Sequence, residues 1–542
     1  MPEKYAPDLN GWTRLHYSAY QSHLAVLTDL LATATATDVN ARTKKLETPL
    51  HLAAGNCRAE AVRLLINHSA TDINCGNYRN WSPLHCAAKC VHTEAVTDLI
   101  NNGANVRAVT KDGQTPLHVA AKYGHNSTVI SLITASAEVN CVDLKGWTPL
   151  HYAALKGHTE VVQQLIGEGA NIDALGNWLE TPFILAVRKG HPDVVRCLIE
   201  KSTMINCADS NGWTPLHYAA FNDQIDVAKL LLDNKSNVNA PTKQFETPLH
   251  FATKKNRVEI VKLLLESLAT VDCRDWRGWT PLHYAARKGY TDIANVLIAS
   301  KSDVNAETNQ KETPLHFATR RDHTEFASSL IGHSATIDCY DSDGWTPFHY
   351  AAQYGRRDIV TLLISSGANV NAFTAVQENP LHFAARKGYC TIVRMLLDES
   401  AKVDQRDGDG WTPLHSAAKF GRFAVAKQLV SHGAKVSAVT PQLETPLNFA
   451  AKVGYTEIAN YLIDNAAEVN CVDQNGWSPL HFAADSNHRT VAELLLVRGA
   501  NVDAVTNDGN TPRQLATLKG HTAIVECIET HLVPVEGDVV VE

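Results

Sequence analysis

Residues 212–220 read Gly-Trp-Thr-Pro-Leu-His-Tyr-Ala-Ala, and this stretch recurs in recognisable form along the whole chain. From Ser82 onward the copies repeat every 33 residues, and the first two steps are 35 and 34 residues. A fixed period of this length predicts a stack of small units. The Thr of Thr-Pro-Leu-His, or its replacement, marks 16 copies, at Thr13, Thr48, Ser82, Thr115, Thr148, Thr181, Thr214, Thr247, Thr280, Thr313, Thr346, Asn379, Thr412, Thr445, Ser478 and Thr511.

Each copy predicts two helices joined by a tight turn. In the fifth copy, Thr148 is a good capping residue, and Pro149 suits the first helical turn, where its missing N–H has no intrahelical partner. Gly157 then breaks this short helix. Residues 161–166 carry valine, leucine and isoleucine at helical spacing, which predicts a second helix that Gly169 ends. The Asn, Asp and Gly content that follows predicts a hairpin-like connection.

The motif Thr-Pro-Leu-His-x-Ala-Ala, the Gly-His break, a Leu-Leu or Leu-Ile pair and Gly-Ala-x-Val-Asn-Ala together closely resemble the ankyrin repeat over about residues 8–530. The resemblance implies an all-α fold, an ankyrin-repeat α-solenoid whose helix pairs and hairpin loops form a single elongated, curved superhelical array. The first, sixth, fourteenth and last copies depart from the motif. We expect the two end copies to be caps, because a terminal unit has one face without a neighbour.

The sequence predicts one repeat domain flanked by two short segments. Residues 1–7 are an N-terminal extension, residues 8–530 the ankyrin-repeat domain and residues 531–542 a C-terminal tail. The tail alternates Val with acidic residues, which leaves both disorder and docking on the last unit open. The predicted repeats are 8–42, 43–76, 77–109, 110–142, 143–175, 176–208, 209–241, 242–274, 275–307, 308–340, 341–373, 374–406, 407–439, 440–472, 473–505 and 506–530.

Motifs and composition argue against an enzyme and against a membrane protein. The glycines occur singly at turns, no Gly-x-Ser-x-Gly occurs, and the His and Asp residues repeat in register as structural parts would. No apolar run approaches the roughly 20 residues that span a bilayer, and residues 1–4 lack a signal-peptide pattern. We therefore expect a non-enzymatic, monomeric protein without cofactors or metal, in the cytoplasm, with the nucleus as the alternative.

Histidine and cysteine are abundant, but their register predicts structural roles. Of 25 histidines, 13 end the Thr-Pro-Leu-His motif, about 8–10 Å apart and too distant to share a metal ion. The resemblance implies that this His bonds to backbone and to the neighbouring unit. Cys86 takes a core place that Tyr or Phe holds elsewhere, so no zinc site with Cys90 is expected. Cys57 replaces the helix-breaking Gly, which marks the N-terminal end as the least stable region.

Six of the 12 cysteines occupy one repeat position in alternate hairpins. Two units separate them by roughly 16–20 Å, beyond the Cα distance of about 7 Å that a disulfide allows. We expect them to be small buried hydrophobes where other copies use Ala. They are Cys75, Cys141, Cys207, Cys273, Cys339 and Cys471.

The copies also alternate with a two-repeat period. Duplication of repeat pairs and a structural need for Trp and Glu hairpins to lie side by side both explain it. The Trp row is either a set of aromatic anchors or, as its regularity favours, indoles that pack across neighbouring hairpins. Trp precedes the motif in odd copies, at Trp12, Trp81, Trp147, Trp213, Trp279, Trp345, Trp411 and Trp477, and Glu in most even copies, at Glu47, Glu180, Glu246, Glu312, Glu378 and Glu444.

Aromatic residues outside this pattern are better candidates for a binding site. Trp178 and Trp276 are predicted at hairpin tips, where a large apolar ring is costly unless covered, and Phe245 lies on an intervening hairpin.

The two residues after the Ala-Ala pair face the concave groove in the ankyrin family, and here they are rich in Lys and Arg. No acidic residue interrupts them before Asp485, although the formal net charge is -8. This predicts a segregated basic stripe that steers an acidic partner. The alternative is that these cations complement helix C-termini and keep the surface soluble. The stripe comprises Lys89, Lys122, Lys156, Arg188, Lys189, Lys254, Lys255, Arg287, Lys288, Arg320, Arg321, Arg386, Lys387, Lys419, Lys452 and Lys519, joined by Tyr123, Phe221, Tyr354 and Phe420.

These features, and mainly the resemblance, predict a scaffold or adaptor that binds a partner protein, in particular an acidic segment, along a basic groove with aromatic residues. Binding of nucleic acid or another anionic surface is a second hypothesis, which the acidic net charge disfavours. A mechanical spacer or spring is a third. The candidate partner-binding residues are Trp178, Phe221, Phe245, Lys254, Lys255, Trp276, Arg287, Lys288, Arg320, Arg321, Tyr354, Arg386, Lys387 and Phe420.

Overall fold

The computed structural model describes residues 7–202 and 204–532, and every regular element in these ranges is a helix. The chain forms two compact units, Met1–Thr270 and Val271–Glu542, and each contains eight helix pairs. The predicted all-α fold of helix pairs is thereby confirmed. Most of the predicted N-terminal extension and C-terminal tail, residues 1–6 and 533–542, lies outside the described residues.

Unit 1 holds copies 1–8. Its first helices are Arg14–Gln21, Pro49–Gly55, Pro83–Ala88, Pro116–Tyr123, Pro149–Lys156, Pro182–Lys189, Pro215–Asn222 and Pro248–Lys254. Its second helices are Leu24–Leu31, Ala59–Ile66, Glu94–Asn101, Asn126–Thr134, Thr159–Gly167, Pro192–Ile199, Ile225–Asp233 and Val258–Glu266. An extra turn of helix, Ala36–Val39, lies in the longer loop of copy 1.

Unit 2 holds copies 9–16. Its first helices are Pro281–Lys288, Pro314–Arg321, Pro347–Tyr354, Pro380–Lys387, Pro413–Lys419, Pro446–Val453, Pro479–Asp485 and Pro512–Leu518. Its second helices are Thr291–Ala299, Thr324–Gly332, Arg357–Ser365, Cys390–Asp398, Phe423–Ser431, Thr456–Asp464, Arg489–Val497 and Thr522–Leu532.

The motif sets both ends of each first helix. In copy 9, Thr280 is the N-cap residue and Pro281 occupies the first helical position. Gly289 ends the helix with φ +74°, a left-handed conformation that glycine adopts without steric cost. Asp322 takes the same conformation, φ +67°, in the next copy. The break predicted at the Gly-His position is therefore confirmed.

Within each unit, first helices contact the neighbouring first helices and second helices contact second helices. The core between them consists of the motif Leu, the Ala-Ala pair and the apolar stripe of the second helix. In copy 9, Leu282, Ala285, Ala286, Ile293 and Leu297 are fully buried. The alanine pairs leave room for the adjacent copy to approach closely, which explains their place in the motif.

The motif histidine joins neighbouring copies. The Thr313 N–H donates to Nδ1 of His316 over 3.1 Å, and Nε2 of His316 donates to the Trp345 carbonyl in the next copy over 3.0 Å. The imidazole is buried, and this burial lowers its pKa to about 4. Because Nδ1 must accept a hydrogen bond, only the neutral ring fits. The structural role implied by the resemblance is confirmed.

One disulfide lies within the described residues, and the sequence analysis did not anticipate it. Cys57 and Cys90 join copies 2 and 3, with their Cα atoms 5.6 Å apart. The six cysteines in register take no part in this bond. Only Cys75 and Cys207 of these six are buried; in the partly buried Cys339, Sγ lies 3.4 Å from the motif hydroxyl of Thr313. The expectation of uniformly buried small hydrophobes was therefore wrong for the other four.

Candidate functional site

The two-repeat period corresponds to two hairpin types. In odd copy 11, Oδ1 of Asp341 accepts from the Asp343 and Trp345 N–H groups over 2.9 and 2.8 Å. Its Oδ2 accepts from the Tyr350 hydroxyl over 2.7 Å. This bond, together with burial, raises the pKa of the Tyr350 phenol. Most even copies satisfy the hairpin N–H groups with a Thr hydroxyl, as Thr308 does, and have Leu, Val or Phe at the position of Tyr350.

The tryptophans of odd copies pack across two copies. The Trp345 ring centroid lies 4.9 Å from that of Tyr350 in its own copy and 4.6 Å from that of Phe383 in the next copy. Trp213 makes the equivalent contact with Phe251 over 4.2 Å. These contacts support the interpretation of the Trp row as packing, and they give a structural reason for placing unlike hairpins side by side.

Ion pairs divide the predicted basic stripe. In the even copies from copy 6 to copy 14, the first of the two groove residues pairs with the Glu that precedes the same motif, as Arg320 does with Glu312 over 2.8 Å. The carboxylate neutralises a base that sequence analysis had counted as part of an unopposed positive stripe. That part of the prediction was wrong. The pairs are Arg188–Glu180, Lys254–Glu246, Arg320–Glu312, Arg386–Glu378 and the longer Lys452–Glu444 at 3.9 Å.

The second groove residue is exposed in copies 9–14. In six consecutive copies of unit 2 this position forms a row of cations, rings and one aliphatic side chain, which we call the unit 2 ladder. Tyr354 is 46% exposed, Phe420 39% and Val453 38%. No ion pair within 4 Å engages the three cations among the described residues. The ladder is Lys288, Arg321, Tyr354, Lys387, Phe420 and Val453.

The rest of the predicted unit 2 site borders this ladder. The Arg287 guanidinium lies 5.5 Å from the Trp279 ring centroid, and Lys419 Nζ lies 4.5 Å from that of Trp411. An open pocket of about 640 Å³ adjoins Arg386, Lys419 and Phe420. The rings and cations therefore line one surface, next to a concavity that can accept a side chain.

In unit 1 the predicted residues divide into exposed and packed groups. Trp178 is 64% exposed and Phe245 61%, as expected for hairpin tips. Phe221 instead packs 5.5 Å from the Trp213 ring centroid, and Lys255 Nζ lies 4.3 Å above the Phe221 ring. In unit 2, Trp276 is 53% exposed, with the Arg277 guanidinium 4.5 Å from its ring centroid.

Phe245 adopts a backbone conformation that phenylalanine rarely takes, with φ +57°. The corresponding residue of odd copy 7 is Gly212, at φ +82°. Since a left-handed non-glycine residue costs on the order of 1 kcal/mol or more, we expect Phe245→Gly to raise the free energy of unfolding of unit 1 by about 1 kcal/mol. Urea titration followed by tryptophan fluorescence measures this. The neighbouring Gln244, which does not have positive φ, provides the control, and Gln244→Gly should give no gain in the free energy of unfolding. Equal effects of both variants would contradict backbone strain at Phe245.

Stacked helix pairs joined by hairpins, with a motif histidine bridging neighbouring copies at most steps within each unit, define a helical repeat protein. A family model for ankyrin repeats, in sets of three copies, matches residues 15–110, 84–176, 162–242, 237–308, 300–374, 373–440 and 447–531. The chain belongs to the ankyrin repeat family. Ankyrin repeats are generally protein–protein interaction modules. A search of the curated proteins found no match.

Two further observations concern other kinds of site. Among the described residues, no helix has the length and apolar character needed to cross a membrane. In the same part of the chain, no group of three or more His, Cys, Asp or Glu side chains is placed to hold a metal ion.

Proposed function

We propose that this protein is a non-enzymatic scaffold or adaptor that binds an acidic segment of a partner protein along the unit 2 ladder. The observation that carries the proposal is the ladder itself: six consecutive copies present an exposed cation or apolar side chain at one repeat position. The partner chemistry follows from the three cations, because complementary charge accelerates and orients association.

The aromatic side chains of the ladder supply binding energy that its cations do not. An exposed ion pair contributes only about 0–1 kcal/mol, because its charges are well solvated before binding. Tyr354 and Phe420 are already partly buried by their own copies, so covering the remaining ring surface orders few additional groups. Aromatic anchors of this kind commonly dominate interface energies.

The geometry also predicts a spacing in the partner. Neighbouring first helices lie about 10 Å apart, and an extended peptide advances about 3.3 Å per residue. A bound extended segment therefore passes one ladder position about every three residues. Acidic side chains facing Lys288, Arg321 and Lys387 should stand at intervals of roughly three and six residues, with an apolar side chain between the last two, opposite Tyr354.

Selection from a random peptide library displayed on phage tests the proposal. Peptides recovered on the wild-type protein should be enriched in this acidic pattern, and the variant Lys288→Glu/Arg321→Glu/Lys387→Glu should lose the enrichment. The matched control is Arg357→Glu/Arg394→Glu/Lys427→Glu, which makes the same charge change on exposed second-helix residues of the same unit. Peptides without acidic enrichment, or equal loss in the control, would refute the ladder as the site.

A further inference from the structure

Copies 2 and 3 of unit 1 border a pocket at a place where copies 10 and 11 carry a base and a ring. The pocket measures about 290 Å³, and its lining includes Glu47, Leu52, Gly55, Trp81 and Cys86. It lies beside the hairpin that carries Trp81, and the unit 2 ladder contributes no residue to it. The reason for this pocket is found by comparing copies 2 and 3 with copies 10 and 11.

In copies 10 and 11, and again in copies 14 and 15, two side chains occupy the equivalent place. In copies 6, 8, 10, 12 and 14 a base pairs with the Glu eight residues before it, as Arg320 does with Glu312 over 2.8 Å. The same Arg320 guanidinium lies 5.2 Å from the ring centroid of Tyr350 in the next copy. Lys452 lies over the ring of Phe482 in the same way, at 5.2 Å. The complete arrangement in these copies is thus a carboxylate, a base and a ring.

Copy 2 keeps the carboxylate but lacks the other two parts. Glu47 stands where Glu312 stands, Gly55 replaces the base, and Cys86 of copy 3 replaces the ring. No ion pair or hydrogen bond engages the Glu47 carboxylate among the described residues, and partial burial raises its pKa. An acid in a half-buried place without a counter-ion is costly, and a cation from outside would offset this cost.

The cations around the pocket do not supply the missing partner. Lys89 Nζ lies 5.6 Å from the ring centroid of Tyr123, and the Arg79 guanidinium lies 5.3 Å from that of Tyr78. Lys45 lowers the pKa of Glu47 through its charge but makes no ion pair with it within 4 Å. Glu47 is the only acidic residue of the lining.

We propose that this pocket binds an arginine side chain of a partner protein, which takes the place that Arg320 holds in copy 10. A guanidinium matches the fork of a carboxylate and can form two parallel N–H···O bonds with Glu47. Its flat face suits the indole wall that Trp81 provides. The pocket lies in unit 1 and shares no residue with the unit 2 ladder, so this proposal stands without the proposed function.

A pair of peptides that differ only in charge tests the proposal. The probes are acetylated, amidated Gly-Gly-Arg-Gly-Gly and the same peptide with citrulline, a neutral isostere, in place of arginine, added to the full chain and followed by peptide-observed NMR. We expect saturable binding of the arginine peptide and at least tenfold weaker binding of the citrulline peptide. Glu47→Gln should weaken arginine binding at least tenfold. Glu138→Gln, an exposed acid of the same unit, should not change it.

Gly55→Arg is the second variant, because it supplies the missing base from within. Gly55 is helical without positive φ, and a Cβ there would meet only the Cys86 Cβ at an ordinary 3.6 Å. We expect this variant to fold, to melt at a higher temperature and to lose peptide binding. No saturable binding to the wild type, equal binding of the two peptides, or full binding by Gly55→Arg would each overturn the proposal. The unit 2 triple variant should bind the arginine peptide normally.

Discussion

Lowering the pH from 7.5 to 5 is expected to remove about 2 kcal/mol of unfolding free energy for each buried motif histidine whose pKa is about 4. Four such residues in each unit give a loss on the order of 8 kcal/mol per unit, comparable to the whole stability of many domains. The eight are His51, His85, His151, His217, His283, His316, His349 and His415.

The sign follows from the direction of the shift. Burial lowers the folded-state pKa from 6.5 to about 4, with hydrogen bonds to backbone carbonyls opposing it. The unfolded chain therefore takes up protons that the folded chain does not. The stabilisation is fully present above pH 6.5 and is lost as the pH falls from 6.5 towards 4. Protonation of Nδ1 would also place its N–H opposite the backbone N–H of the motif threonine, so that two hydrogen-bond donors would face each other.

His316→Asn isolates this effect. Copy 14 naturally carries Asn448 at the equivalent position, and its Oδ1 accepts from the Thr445 N–H over 2.9 Å. The variant should be less stable at pH 7.5, because it loses the bond to the Trp345 carbonyl, but its loss between pH 7.5 and 5 should be about 2 kcal/mol smaller than that of the wild type. Urea unfolding at both pH values measures this. Identical pH dependence in variant and wild type would contradict a role for the neutral imidazole.

Reduction of the Cys57–Cys90 disulfide is expected to lower the free energy of unfolding of unit 1 by about 2–4 kcal/mol, because the bond restricts the unfolded chain. We expect the N-terminal copies, with their irregular first loops, to be the least stable region, and this bond joins copy 2 to copy 3 there. Hydrogen exchange of the second helices Ala59–Ile66 and Glu94–Asn101 should accelerate most.

Two variants check the disulfide. Cys90→Ser without reductant should match the wild type with reductant, and adding reductant to the variant should change nothing further. Cys141→Ser alters a free cysteine of the same unit and should keep the full response to reductant. If reductant did not change the free energy of unfolding of the wild-type protein, the bond would not hold these copies together.

The fold was predictable because each copy contains its own boundaries. Thr280, Pro281 and Gly289 set a helix start and stop locally, so the motif alone predicted helix pairs that the structure confirms. The exposure of Trp178 and Trp276 followed in the same way from their places in the hairpins.

The electrostatics of the site were less accessible to sequence reasoning. Arg320 and Glu312 stand eight residues apart, and they meet only because the hairpin folds back over the first helix. The disulfide required Cys57 and Cys90 to be adjacent across copies, and an irregular second step shifts their register relative to the motif. The 33-residue spacing of these two cysteines was the available signal. The pocket at Glu47 is recognised only by comparison with copies 10 and 11, where a base and a ring occupy the equivalent place.

Locating a bound acidic peptide tests directly whether the unit 2 ladder is a binding surface. The most enriched peptide from the phage selection, carrying benzoylphenylalanine at its apolar position, is cross-linked to the wild-type protein by light, and the attachment sites are read by mass spectrometry. We expect cross-links at the ends of the first helices of copies 9–14, near Tyr354 and Phe420. Cross-links confined to second helices or to unit 1 would contradict it.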